Sequence, residues 1–284
     1  MRPVPLTLRR AALAVALFTA QAAPAFAASW QLGAAGTAVD LLAETGTVGG
    51  IGADRLVAGT LQDLSAPGQV LLLDAMTDTA PIGDAALERG HAHLLSVDTL
   101  AGASTAALQL SMSRSWSLQA ASASLVDGLS ATQDLSLTGV ELRIVGEAGN
   151  AGEAVGTLVA VRLRGQAELL PNALSGGEAG VGLEITDASG TVLARHEGHG
   201  PSPGLGGVAL DFQARVGDVL LLNLWAHRDT GLLPRLQVPA GGSLLIEDTV
   251  MLQGELTVSA VPEPSAWLSL LAGLGVMGVL RRRG

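Results

Sequence analysis

The sequence contains no cysteine, no tyrosine and no lysine, and its 284 residues hold only three phenylalanines and four tryptophans. Without cysteine there is no disulfide, no thiol nucleophile and no N-terminal lipid anchor of the lipobox kind. The shortage of aromatic residues leaves leucine, valine, alanine and isoleucine to build the core. The lack of lysine removes the residue a P-loop needs, so the glycine-rich stretch from Gly146 to Gly156 is not a nucleotide cradle. Positive charge is scarce too: residues 28–260 carry ten arginines against 25 acidic residues, a formal charge of −15. Such a surface repels nucleic acid and anionic lipid headgroups, favours solubility and attracts divalent cations weakly. No Gly-x-Ser-x-Gly elbow and no Asp-x-Asp-x-Asp-Gly calcium loop occurs.

Residues 1–27 have the three parts of a secretory signal peptide in order. Arg2, Arg9 and Arg10 form a basic start, Ala11 to Ala20 an apolar run, and Ala25-Phe26-Ala27 the small-x-small site that signal peptidase accepts. Cleavage is expected after Ala27. The adjacent arginines raise the twin-arginine route as a variant, but the general secretion route is the expectation. Residues 28–260 then form the exported body, long enough at about 230 residues to bury most of its apolar surface.

Apolar residues in this body recur with period two. Val140, Leu142 and Ile144 share a face, with Gly139 shifting the phase from Leu135 and Leu137, which predicts a bulge. Val159, Val161 and Leu163 alternate with Ala160, Arg162 and Arg164. Asp187-Ala188-Ser189-Gly190 lies between two such runs and reads as a hairpin loop with Gly190 at positive φ. Val219 to Trp225 is apolar on both faces, which predicts a central strand with Trp225 anchored in the core. Gly254 interrupts the last strands as a local irregularity. The first third is less regular, and Asp84 to His91 reads as a short helical turn. Short strands with no sustained helical stripe predict one all-β domain over residues 28–260, an antiparallel β-sandwich or jelly roll.

Few constellations offer chemistry. His91-Ala92-His93 would place two imidazoles on one face of a strand, a spacing that metal sites use. No third histidine follows at metal-site spacing, so the pair is expected in an exposed loop. His196-Glu197-Gly198-His199 is one residue short of the zinc-peptidase motif, and its glycines and nearby prolines oppose the helix that motif requires. His227 is expected at a solvated strand end. Glu247 and Asp248 are neighbours on a strand and point to opposite faces, so they are not a glycosidase couple. Trp30, Trp116 and Trp225 are the aromatic residues of the body that could serve as a sugar platform. No catalytic residue, cofactor or metal site is expected.

The chain closes with VPEPSAWLSLLAGLGVMGVLRRRG, residues 261–284. Residues 264–280 are uncharged, and 17 residues of helix would span about 26 Å, near the short end of a membrane crossing. Trp267 falls where an interfacial aromatic belongs, and Arg281, Arg282 and Arg283 supply the positive cytoplasmic flank. Pro262 and Pro264 keep the preceding stretch out of the helix. Glu263 cannot enter lipid cheaply and pins the motif at the outer interface.

Together, Pro262-Glu263-Pro264, the apolar helix and the basic end resemble the PEP-CTERM sorting signal of Gram-negative bacteria. That resemblance covers residues 261–284 and implies recognition by an exosortase, a membrane enzyme that processes its substrates at or near the Pro-Glu-Pro motif. It also implies the inner membrane as a transient anchor with the body in the periplasm, then delivery to the cell surface or an extracellular matrix. The family's link to exopolysaccharide and biofilm formation makes an exopolysaccharide an expected partner. The leading expectation is a non-enzymatic exported protein. A carbohydrate-binding module and a secreted hydrolase are the alternatives.

Overall fold

The computed structural model describes residues 28–100, 102–146, 154–170, 175–200, 205–232 and 235–261. The signal peptide with Ala25 and Ala27, the expected membrane helix, Pro262, Glu263, Pro264 and Arg281 to Arg283 lie outside the described residues. Among the described residues every regular element is a strand.

The strands in chain order are β1 (Ala28–Leu32), β2 (Thr37–Val48), β3 (Ile51–Gly52), β4 (Arg55–Thr60), β5 (Gln69–Ile82), β6 (Ala85–Thr99), β7 (Thr105–Ala120) and β8 (Ser124–Gly146). They continue with β9 (Leu158–Leu170), β10 (Ser175–Gly176), β11 (Ala179–Asp187), β12 (Val192–Gly200), β13 (Gly206–Arg215), β14 (Val219–Leu232), β15 (Leu236–Val238) and β16 (Ser243–Ala260). All pairings are antiparallel. One sheet runs β12-β11-β14-β8-β2-β3, with β1 and β15 also on β8, β10 on β14 and β4 on β2. The other runs β13-β9-β16-β7-β6-β5.

The 23-residue strand β8 organises the first sheet. β2 and β1 lie end to end along one of its edges, pairing with Val126–Thr138 and Leu142–Gly146. β14 and β15 do the same along the other. Period-two patterning does the rest. β6 and β7 alternate between buried and outward residues along almost their whole length, so each contributes one face to the space between the sheets.

That space holds two apolar clusters. The larger gathers Leu95, Leu110, Leu137, Leu163, Leu222 and Val250 with their neighbours. The smaller gathers Leu42, Leu87, Trp116, Leu118, Leu129 and Ile246. Both draw on both sheets, as a sandwich core does.

Several expectations hold in detail. Gly139 has φ 76°, the β14–β8 register shifts opposite it between Leu222 and Leu224, and its N–H donates to Asn223 Oδ1 at 2.9 Å. Gly190 has φ 85° in the β11–β12 hairpin. β14 is central, between β11 and β8.

Other expectations are overturned. Asp84 to His91 is not a helical turn: Gly83 and Asp84 make the hairpin, and Ala85 opens a 15-residue strand. Pairing with β5 on one side and β7 on the other outweighs the helical preference of Ala-Leu-Glu-Arg. Gly254 is no irregularity, since the ladder passes through it unbroken on both sides. It faces Gly165 of β9, and the two glycines let the backbones approach closely. Trp225 is not a core anchor. The buried phase of β14 belongs to Leu220, Leu222, Leu224 and Ala226, so the indole stands on the outer face, over Gly182 and 5.8 Å from the His199 ring between centroids.

Candidate functional site

The inward phase that supplies the two apolar clusters also carries charge at one level of the sandwich. Between Ala38 and Leu42 on β2 comes Asp40, and after Leu42 comes Glu44. β6 supplies Arg89, His91 and His93 between Leu87 and Leu95, and β7 supplies Arg114 between Met112 and Trp116. Gln133, Arg228, Thr230 and Asp248 complete the set from β8, β14 and β16. All are buried. They form a polar band between the two clusters that contains three arginines and three carboxylates.

On one side of the band, Asp248 is the shared acceptor. Arg114 Nη2 donates to its Oδ2 at 3.1 Å, Arg228 Nη2 at 3.4 Å and Thr230 Oγ1 at 2.7 Å. Burial lowers the Arg114 pKa, a shift that Asp248 and Glu44 oppose. The Arg114 guanidinium also lies over the Trp116 ring, 4.6 Å from its centroid. Trp116 Nε1 donates to Glu44 Oε1 at 2.7 Å, and Glu44 pairs with Arg89 at 3.6 Å. Removing charges from water is costly, and pairing of this kind is what makes it tolerable.

The other side of the band holds the histidines. His93 Nε2 lies 3.3 Å from Asp40 Oδ1 and 2.6 Å from Gln133 Nε2. The His91 and His93 rings are 5.3 Å apart between centroids, tilted by 40°. Asp40, His91 and His93 are 2%, 4% and 1% exposed, and each offers one ligand atom within 4.8 Å of the others. The expected exposed loop pair is therefore a buried pair, and the missing third donor is an aspartate from the opposite sheet. Neither nitrogen of His91, nor His93 Nδ1, nor Asp40 Oδ1 has a hydrogen-bond partner. Burial, reinforced by the charge of Asp74, pushes the Asp40 carboxyl up to about 6. Burial also pushes His93 down to about 4 and lowers His91. Near neutral pH the group is one carboxylate and two uncharged imidazoles.

Elsewhere the candidates separate. His196 and His199 lie on strand β12, where a helical zinc-peptidase motif has no place. His227 sits within β14, which continues to Leu232, rather than at a strand end; it hydrogen-bonds Asp134 at 2.6 Å and contacts Asp229 at 3.2 Å. Glu247 points outward while Asp248 points in, as their adjacency predicts. Trp30 and Trp116 are interior, the Trp30 Nε1 donating to Leu256 O at 3.1 Å. Neither can serve as a surface platform. The outer face of the second sheet instead carries a hollow of about 510 Å³ lined by Asp98, Gln109, Arg164, Gln166, Gln253 and Glu255, with Gly165 and Gly254 at its floor.

The tail adjoins this body without a linker. Strand β16 ends at Ala260, and Val261 is the last described residue. Residues 260–283 match the family model of the PEP-CTERM protein-sorting motif. The tail is a PEP-CTERM signal. It implies export of the chain and exosortase processing at the membrane. The match bears on the tail alone and leaves the body unassigned.

No curated protein matches the chain. Among solved structures, an arabinose-bound α-L-arabinofuranosidase (MgGH51) aligns at 14% identity over 57% of this chain, with a TM-score of 0.18. The chain spans 24% of that enzyme's length. The Gx strain of infectious bursal disease virus aligns at 9% identity over 85% of this chain and 80% of its own, with a TM-score of 0.16. Likenesses this weak carry no argument about fold or activity.

Proposed function

We propose that the protein is a non-enzymatic surface or matrix component, delivered through its PEP-CTERM signal and associated there with exopolysaccharide. The observation that carries the reading is the motif match over residues 260–283. In this reading signal peptidase removes residues 1–27, the tail holds the body at the inner membrane, and an exosortase acts near Pro262-Glu263-Pro264. The chain is a substrate rather than a catalyst. Two features of the body support that role. The buried carboxylates of the polar band face arginine, tryptophan, threonine or histidine rather than a cleft. The outer hollow offers amides and charged groups that suit hydroxyl-rich chains, without the aromatic floor of a tight sugar site.

The test is replacement of Pro262, Glu263 and Pro264 by alanine in an exosortase-bearing host, followed by fractionation. The native protein is expected in the surface and exopolysaccharide fractions. The variant is expected in the membrane fraction at higher mass. Identical distribution of the two would sink the reading.

A further inference from the structure

We propose that Asp40, His91 and His93 bind a divalent first-row transition ion of the zinc class between the two sheets. Three observations carry this. First, the geometry gathers the donors: one ligand atom from each residue lies within 4.8 Å of the other two. The 3.3 Å from His93 Nε2 to Asp40 Oδ1 matches the edge of a tetrahedron with bonds of about 2.0 Å. Second, the donors are left over by the rest of the core. A neutral imidazole always has one bare lone pair, and His91 has no partner for either nitrogen. Buried polar groups in a folded protein are ordinarily matched, and an ion would match these. Third, the donor set selects the ion. Two imidazoles and one carboxylate suit zinc, nickel or copper(II), whereas calcium and magnesium favour oxygen throughout.

Gln133 Nε2 lies 2.6 Å from His93 Nε2, the nitrogen the ion would take, so binding would displace that contact. Asp74 and Glu44 add negative charge against Arg55 around the histidines. The ion would join β2 of one sheet to β6 of the other, two strands that are not hydrogen-bonded neighbours. In an exported chain with no cysteine, it would supply a cross-link that a disulfide cannot. Because the donors come from opposing sheets, binding is coupled to their closure. The site is independent of the sorting reading.

The experiment uses the exported protein, stripped with a chelator and titrated with zinc, with metal content and melting temperature as readouts. One ion per chain and a melting temperature that rises with zinc are expected. His91→Asn and His93→Gln are expected to lose both, while His199→Gln and His227→Gln, which remove histidines outside the site, retain both. Cobalt(II) bound to the unmutated protein is expected to give visible absorption of low-coordinate geometry, a readout that holds if a core variant does not fold. No bound ion in the unmutated protein, or binding lost with His199 or His227 instead, overturns the proposal.

Discussion

Asp248 shows how much a single side chain holds in this core. Its carboxylate accepts from Arg114, Arg228 and Thr230, so neutralising it strands two buried guanidiniums. Asp248→Asn is expected to destabilise the fold by about 3 to 5 kcal/mol, read as a lower denaturant midpoint. A loss below about 1 kcal/mol, the worth of a surface pair, would show the pair to be expendable. His227 gives a smaller, pH-dependent effect. Its partial burial lowers its pKa, but the hydrogen bonds to Asp134 and Asp229 outweigh that and raise it above 6.5. A raised folded-state value means that its contribution is complete below the unfolded pKa and lost as pH rises through the folded one. His227→Gln should therefore cost up to about 1 kcal/mol near about pH 6 and almost nothing near about pH 9. Equal costs at the two pH values would contradict the assignment.

At the scale of elements, the pair Gly165 and Gly254 sets how closely β9 and β16 approach. A Cβ on Gly165 would stand 2.9 Å from the Gly254 Cα and closer still to the Gln253 carbonyl, both backbone atoms that cannot swing aside. Gly165→Ala is expected to cost about 1 to 3 kcal/mol in a urea melt. Gly52→Ala, where the added atom meets nothing within 4 Å, should leave the midpoint unchanged, and a neutral Gly165→Ala would show that the strands part easily. The sequence made most strands legible because leucine, valine and isoleucine keep period two, and Gly139 and Gly190 marked their own bends. It even held the polar band. Extending the phase of Leu95 and Val97 back along β6 places His93, His91 and Arg89 inside, and extending Leu110 and Met112 does the same for Arg114. Reading Ala-Leu-Glu-Arg by local preference hid that signal. The third donor could not be read at all, since only the packing of β2 across from β6 brings Asp40 to the histidines. Trp225 was misread because an apolar strand does not say which of its faces is inward, and the half-covered outer face also accepts large side chains.

At the scale of the molecule, two apolar clusters hold the sheets together and a charge-balanced polar band lies between them, while the surface is strongly acidic. Such a body is suited to life outside the cytoplasm without disulfides, and its last strand runs directly into the sorting signal. The absence of a linker places Pro262 two residues beyond β16, so processing near the motif would leave a mature chain that ends almost where the sandwich ends. The most direct measurement is the intact mass and C-terminal peptide of the protein recovered from the cell surface. Processing predicts a chain that begins near Ala28, ends near Pro262-Glu263-Pro264 and yields no peptide from the apolar stretch. A surface form that still carries Arg281, Arg282 and Arg283 would contradict it.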